Sequence, residues 1–227
     1  APEASAAGSA PADHADNSAG AAWIEQDGAC DQAALAVTLS VCRTDTGEML
    51  DSDILFNGAD YSWKTPSSGG LGHDVQNAAT HEIGHFLGLD HEPAGRASMF
   101  PSASAQEIHQ RSLSGDEIAG VSATYSAASF LTGFGSIEGT VTQLGTGVRA
   151  AHVAATDSTT GNFVASAVTD LNGDYQIVGL AAGSYDVRVE PLDGPVTISN
   201  MSKLTQSDTA FTSAVSAAPV AVTAGGS

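Results

Sequence analysis

Residues 80–91 read Thr-His-Glu-Ile-Gly-His-Phe-Leu-Gly-Leu-Asp-His, and their types and spacing suit one kind of chemistry. On a helix, positions four apart share a face, so His81 and His85 can present two imidazoles to one ion. Glu82 stands beside the first ligand without joining it, where it can hold and deprotonate a water on that ion. Gly88 lets the backbone leave the helix in a conformation that a Cβ opposes, and the turn brings His91 round as a third nitrogen. Three imidazoles with one position left open describe a catalytic zinc site; a closed structural site takes four protein ligands. An amphipathic helix with polar-face histidines and a glycine cap would account for His81 and His85, but not for His91.

Such a site needs a helix that starts and stops at set places. Asp74 stands where an N-cap belongs, and the pattern predicts a helix over 75–87 with Ala78, Ala79, Ile83 and Phe86 turned inward. His73 offers one further imidazole, read here as a loop histidine bonded to its neighbours rather than as a ligand. Upstream, strands are expected at 35–41 and 49–56, the second with Asp51 and Asp53 alternating with apolar neighbours so that one face is wet. Order begins near Ala22 and Trp23. Residues 1–20 are Ala, Ser, Gly and Asp with hardly a large apolar side chain, a composition that cannot offset chain entropy and reads as a disordered leader. A second helix starts at Ser114 with acidic residues in its first turn, where the dipole favours them, and ends near Tyr125.

The full pattern H-E-x-x-H-x-x-G-x-x-H resembles the metzincin zinc endopeptidases. Eight residues after His91, Met99 lies in Ala-Ser-Met-Phe-Pro, which resembles the Met-turn of that group. Residues 47–57 look like the strand that matrixin-type metzincins place along the upper rim of their cleft, and 111–121 with Tyr125 resemble their closing helix. Glu92 after the third histidine is an astacin feature, but Phe100 occupies the place of the astacin tyrosine ligand, so matrixin-like is the better description. The resemblance implies one catalytic zinc on His81, His85 and His91, with Glu82 as general base. It implies an extended substrate added as a strand beside Asp53, Leu55 and Asn57, and a polar pocket for the residue after the scissile bond, lined by Asn77. Calcium is a further cofactor that the sequence leaves open. Family catalytic domains also begin with strands and a long helix before the segment matching Trp23; no counterpart is present, so the N-terminal part of the domain is expected to be missing.

After residue 135 the texture changes to short alternating strands separated by turn residues, the pattern of a β-sandwich. Asn172-Gly173 is a strong hairpin signal. The phrase from Thr169 to Tyr185 resembles the carboxypeptidase-regulatory-like, transthyretin-type module, over roughly 135–192 with a looser tail to 222. Its residues are turn and core positions, with no catalytic set. The expected class is therefore α+β, a metzincin-like domain of twisted sheet, active-site helix and closing helix, followed by an all-β sandwich. The expected order is a leader at 1–20, the protease domain at 21–128, a linker at 129–135 and the sandwich at 136–222.

The 227 residues carry 26 acidic against 7 basic side chains, a net charge of −19. That surface repels nucleic acid and anionic lipid, which excludes both as partners. No run of about 18 apolar residues exists to span a membrane. The chain opens Ala1-Pro2-Glu3 without a basic or apolar leader segment and reads as a mature product or an excised fragment. Cys30 and Cys42 flank one short strand and are expected to form the kind of bridge found in exported proteins; the other reading is two buried thiols. Together these features point to a secreted zinc endopeptidase acting on protein or peptide. Two alternatives stay open: a non-catalytic surface or adhesion protein built on a degenerate protease domain, and a narrower zinc hydrolase acting on a non-protein amide.

Overall fold

Three stretches of strand-forming composition pair into one sheet in the computed structural model, which describes residues 20–24, 34–43, 45–65, 70–125, 132–202 and 204–226. They are β1 (Gly20–Ile24), β2 (Ala36–Cys42) and β3 (Met49–Asn57), in the order β1-β3-β2. β1 runs parallel to β3, from Gly20 opposite Asp53 to Ile24 opposite Asn57. β2 runs antiparallel, with Val37 opposite Leu55 and Leu39 opposite Asp53. β3 is thus the middle strand, and that overturns its expected rim position. Its two backbone edges are both occupied, so no substrate strand can add beside Asp53, Leu55 or Asn57. Nor is one face simply wet: Asp51 and Ser52 are buried together with Leu55 and Phe56, because a central strand is covered on both sides.

The strand ends in a knot of side-chain bonds. Asn57 is buried, its amide donates to Ala34 O and to Asp60 Oδ2, and its Oδ1 accepts from Asp60 N. Trp63 Nε1 closes on Asn57 O at 2.8 Å. Two short strands, β4 (Trp63–Lys64) and β5 (His73–Asp74), lead into α1 (Val75–Phe86), and a 3-10 turn follows at His109–Arg111. The leader expected at 1–20 lies outside the described residues except for Gly20. So do Cys30 and residues 126–131, which include the start of the expected linker. Cys42, at the end of β2, is exposed and has no disulfide among the described residues; Cys30, its expected partner, lies outside them.

By internal packing the chain divides into two units. One comprises the residues up to Gly88 with Ser102–Ser112, and the other Leu89–Pro101 with Leu113–Ser227. The second unit holds α2 (Gly115–Tyr125) and a run of strands. These are β6 (Gly135–Thr140), β7 (Thr142–Gln143), β8 (Thr146–Gly147), β9 (His152–Asp157), β10 (Phe163–Val168), β11 (Asp174–Leu180), β12 (Gly183–Glu190), β13 (Ala214–Val215) and β14 (Val220–Val222). One sheet runs β10-β9-β12-β13, with β14 also on β12, and another pairs β11 with β6. Ile137, Val153, Ala155, Ile177, Leu180, Tyr185 and Val222 fill the space between them. Each large apolar side chain buried this fully contributes about 1.5–3 kcal/mol.

The Asn172-Gly173 turn is present, with Gly173 at φ +87°, but it does not make a hairpin. β10 pairs with β9 and β11 with β6, so the turn carries the chain from one sheet to the other. Asp170 organises it by accepting from the N–H groups of Asn172 and Asp174 at 2.8 and 2.9 Å. The signal marked a tight reversal and left the partner strands unspecified.

α2 begins as the sequence suggests. Ser114 N and its hydroxyl both donate to Glu117 Oε2, while Met99 N donates to Glu117 Oε1 at 2.9 Å. Glu117 is 1% exposed, so this one carboxylate fixes the helix start to the loop before it. The helix then lies close on the sandwich. At Gly179, which has φ +70°, an added Cβ would meet the Ala119 Cβ at 2.5 Å.

Candidate metal centre

Asp74 sets the start of α1. Its Oδ1 accepts from Asn77 N at 3.0 Å, and its carboxylate also takes two bonds from the Arg111 guanidinium. Those bonds from Arg111 hold the Asp74 carboxyl below its ordinary range, against the opposing effect of burial. The helix therefore begins at a fixed residue, and about two turns later its face is in a known phase.

On that face His81 and His85 pack edge to face, with ring centroids 4.8 Å apart. The helix ends two residues later, where Leu87 N donates to Ile83 O and Gly88 N to His85 O. Gly88 then adopts φ +88°, open to glycine and strained for other residues, and the chain turns. The ligand atoms of His81, His85 and His91 lie within 4.8 Å of one another. Zinc takes imidazole nitrogens at about 2.0–2.1 Å, and three of them with one open position make up its catalytic donor set. His91 Nδ1 is already in hydrogen-bond contact with Asn200 O. A carbonyl only accepts, so Nδ1 carries the proton and Nε2 keeps its lone pair for a metal. The donor set fits zinc.

Glu82 lies between the two helical histidines in sequence and is 5% exposed. The Thr38 hydroxyl of β2 sits 2.6 Å from Glu82 Oε2 and 2.9 Å from Glu82 O. Thr38 is the functional neighbour that sequence reasoning missed. It lies 44 residues away on another element, and no local pattern singles it out.

Other expected site residues have different roles. Asn77 is 2% exposed, so its side chain is buried. Its amide donates to Gln110 Oε1 at 2.5 Å and its Oδ1 accepts from Gln110 N at 2.8 Å, which ties α1 to the 3-10 turn. A polar residue was expected there; its being consumed by an internal pair was not. Ile83, expected inside, is 48% exposed, since the buried face of α1 runs through Asn77, Ala78, Glu82 and Gly84. His73 packs edge-on against Tyr61, with centroids 5.2 Å apart, and its Nδ1 is buried without a hydrogen-bond partner. Burial lowers its pKa, and it takes no part in the histidine cluster. Met99 is 2% exposed in the loop after His91, where its carbonyl accepts from Glu92 N at 2.9 Å.

Among the described residues no helix is long and apolar enough to cross a membrane. Comparison with family models gives two matches. Residues 23–126 match the model described as Matrixin, and residues 136–212 match the carboxypeptidase regulatory-like domain. The first match runs from the end of β1 through α2 with all three histidines, and the second covers most of the sandwich. Sheet, capped histidine helix and sandwich agree with both, and the chain therefore joins a matrixin domain of the metalloprotease type to a carboxypeptidase regulatory-like domain.

Proposed function

We propose that this chain is an exported zinc-dependent endopeptidase in which Glu82 is the general base. The observation that supports this most directly is the pairing of a compact three-histidine cluster with a buried glutamate on the same helix, its carboxylate held by Thr38. Zinc on three neutral imidazoles acidifies water near neutral pH and polarises a peptide carbonyl.

The remaining work falls to the chain. Glu82 Oε accepts the proton of the attacking water and passes it to the departing amine nitrogen as the C–N bond breaks. The products are a carboxylate and an amine. The Thr38 hydroxyl, which donates to Glu82 Oε2, fixes the direction in which the other oxygen points. Burial around Glu82 keeps bulk water from competing for that proton. Substrate alignment is assigned to β2 rather than β3. Among the described residues β2 is the end strand of the sheet and carries Thr38, so its outer backbone edge runs past the general base.

Replacing Glu82 by Gln keeps the shape and removes the proton acceptor. Cleavage of a denatured protein substrate should fall by about 10²–10⁴, with zinc content and melting temperature unchanged. Equal cleavage by the two forms would overturn this reading.

A further inference from the structure

Asp90, His91 and Glu92 are consecutive, and each is tied to the sandwich half of its own unit by a different bond. Ser202 N donates to both oxygens of Asp90 at 3.1 Å. His91 Nδ1 contacts Asn200 O. Ser166 Oγ donates to Glu92 Oε2 at 2.6 Å. Three sequential residues bonded at three separate points leave this loop little freedom, and the middle point is a metal-ligand candidate.

The partner of His91 is itself locked. Asn200 closes a 3-10 turn, Ile198–Asn200, by donating its N–H to Thr197 O at 3.0 Å. Its side-chain Oδ1 returns the bond by accepting from Thr197 N at 2.9 Å. The turn rests on an apolar cluster of Ala150, Leu192, Val196 and Met201, with Phe100 and Leu204 against it. The carbonyl that meets His91 is therefore part of a packed element, held at a fixed height and direction. Asp90 completes a clasp, because its Oδ1 also accepts from His91 N at 2.9 Å.

We propose that the carboxypeptidase regulatory-like domain is a working part of the metal centre: the Asn200 turn sets the tautomer and ring direction of His91. This rests on the zinc reading given above. The turn that meets His91 belongs to this domain, so the domain is more than a passive scaffold, and Asn200 is a positioning residue that acts through His91. Partners of this kind, which orient a ligating histidine through its second nitrogen, are worth about 10- to 100-fold in metal affinity when lost.

The test uses the full chain and the metal alone. Asn200→Ala removes the Oδ1 that closes the turn, and Asn200→Asp restores an acceptor oxygen in the same place. Zinc affinity is measured by competition with a chromophoric chelator, and the visible spectrum of the cobalt(II) form reports the ligand field. Asn200→Ala should bind zinc about 10- to 100-fold more weakly and shift the cobalt spectrum, and Asn200→Asp should recover both. Asp90→Ala opens the other half of the clasp and should weaken zinc in the same direction, which keeps the test decisive if the first variant fails to fold. Wild-type affinity and spectrum in a folded Asn200→Ala or Asp90→Ala protein would overturn the proposal while leaving the zinc reading intact. Failure of the wild-type chain to bind zinc at all would overturn both.

Discussion

Replacing Asp74 by Ala should destabilise the protein by about 4 kcal/mol, through two separable losses. The first is the helix cap: Asn77 N loses its acceptor, worth about 1 kcal/mol. The second is the ion pair with Arg111, whose partners are 0% and 23% exposed at their side chains. Breaking a buried pair by removing one member costs about 3–5 kcal/mol, and the partial exposure of Arg111 places this one near 3. Asp74→Asn isolates the second effect, since asparagine caps as well as aspartate and carries no charge. It should cost about 3 kcal/mol.

Adding Arg111→Gln to Asp74→Asn should recover most of that loss, because no uncompensated charge then stays behind. Urea unfolding at one fixed zinc concentration reads the shift in midpoint, with the slope unchanged. The pH dependence has a definite sign. Arg111 holds the Asp74 carboxyl below the ordinary aspartate range, so the pair contributes fully above about pH 4 and is lost as acid carries the pH down through the depressed value. An Asp74→Asn protein within about 1 kcal/mol of wild type would refute the idea that this pair anchors the start of the histidine-bearing helix α1.

Asp116 gives a pH prediction of opposite sign. Burial and the neighbouring Glu92 carboxylate push it up to about 8, so the folded state keeps a proton that the unfolded chain releases near pH 4. Its stabilising effect is complete below that point and fades as the pH rises toward 8; Asp116→Asn should melt progressively higher than wild type between pH 5 and 8.5, and parallel melting curves would refute this. At Gly179, alanine must accept φ +70° and a Cβ only 2.5 Å from that of Ala119, so Gly179→Ala should cost on the order of 3 kcal/mol in urea unfolding.

The histidine pattern, the Asp74 cap and the Gly88 break are local features, and a chain read in order displays them. Spacing on a helix is set by 3.6 residues per turn, so His81 and His85 had to share a face wherever that helix was placed. The same holds for the Ser114–Glu117 bonds at the start of α2 and for the tight reversal at Gly173, which depend on residues within four of each other. The alternating strands after residue 135 were also legible, because a pleated strand with one buried face imposes a period of two.

Which strands are neighbours depends on contacts far apart in sequence, and there the reading failed. β3 was expected at the rim because residues 47–57 resemble the matrixin rim strand, and wet on one face because of its aspartates, yet it lies between β1 and β2 and its Asp51 is buried. Asn77 looked like a pocket wall until Gln110, 33 residues on, took up its amide. Thr38 beside Glu82, and Asn200 beside His91, are separated from their partners by 44 and 109 residues. Local sequence sets the identity and phase of the candidate metal ligands, since covalent geometry and helix pitch act over a few bonds. The groups that meet those histidines and the proposed general base are chosen by tertiary packing, since a single hydroxyl or carbonyl leaves no periodic trace along the chain.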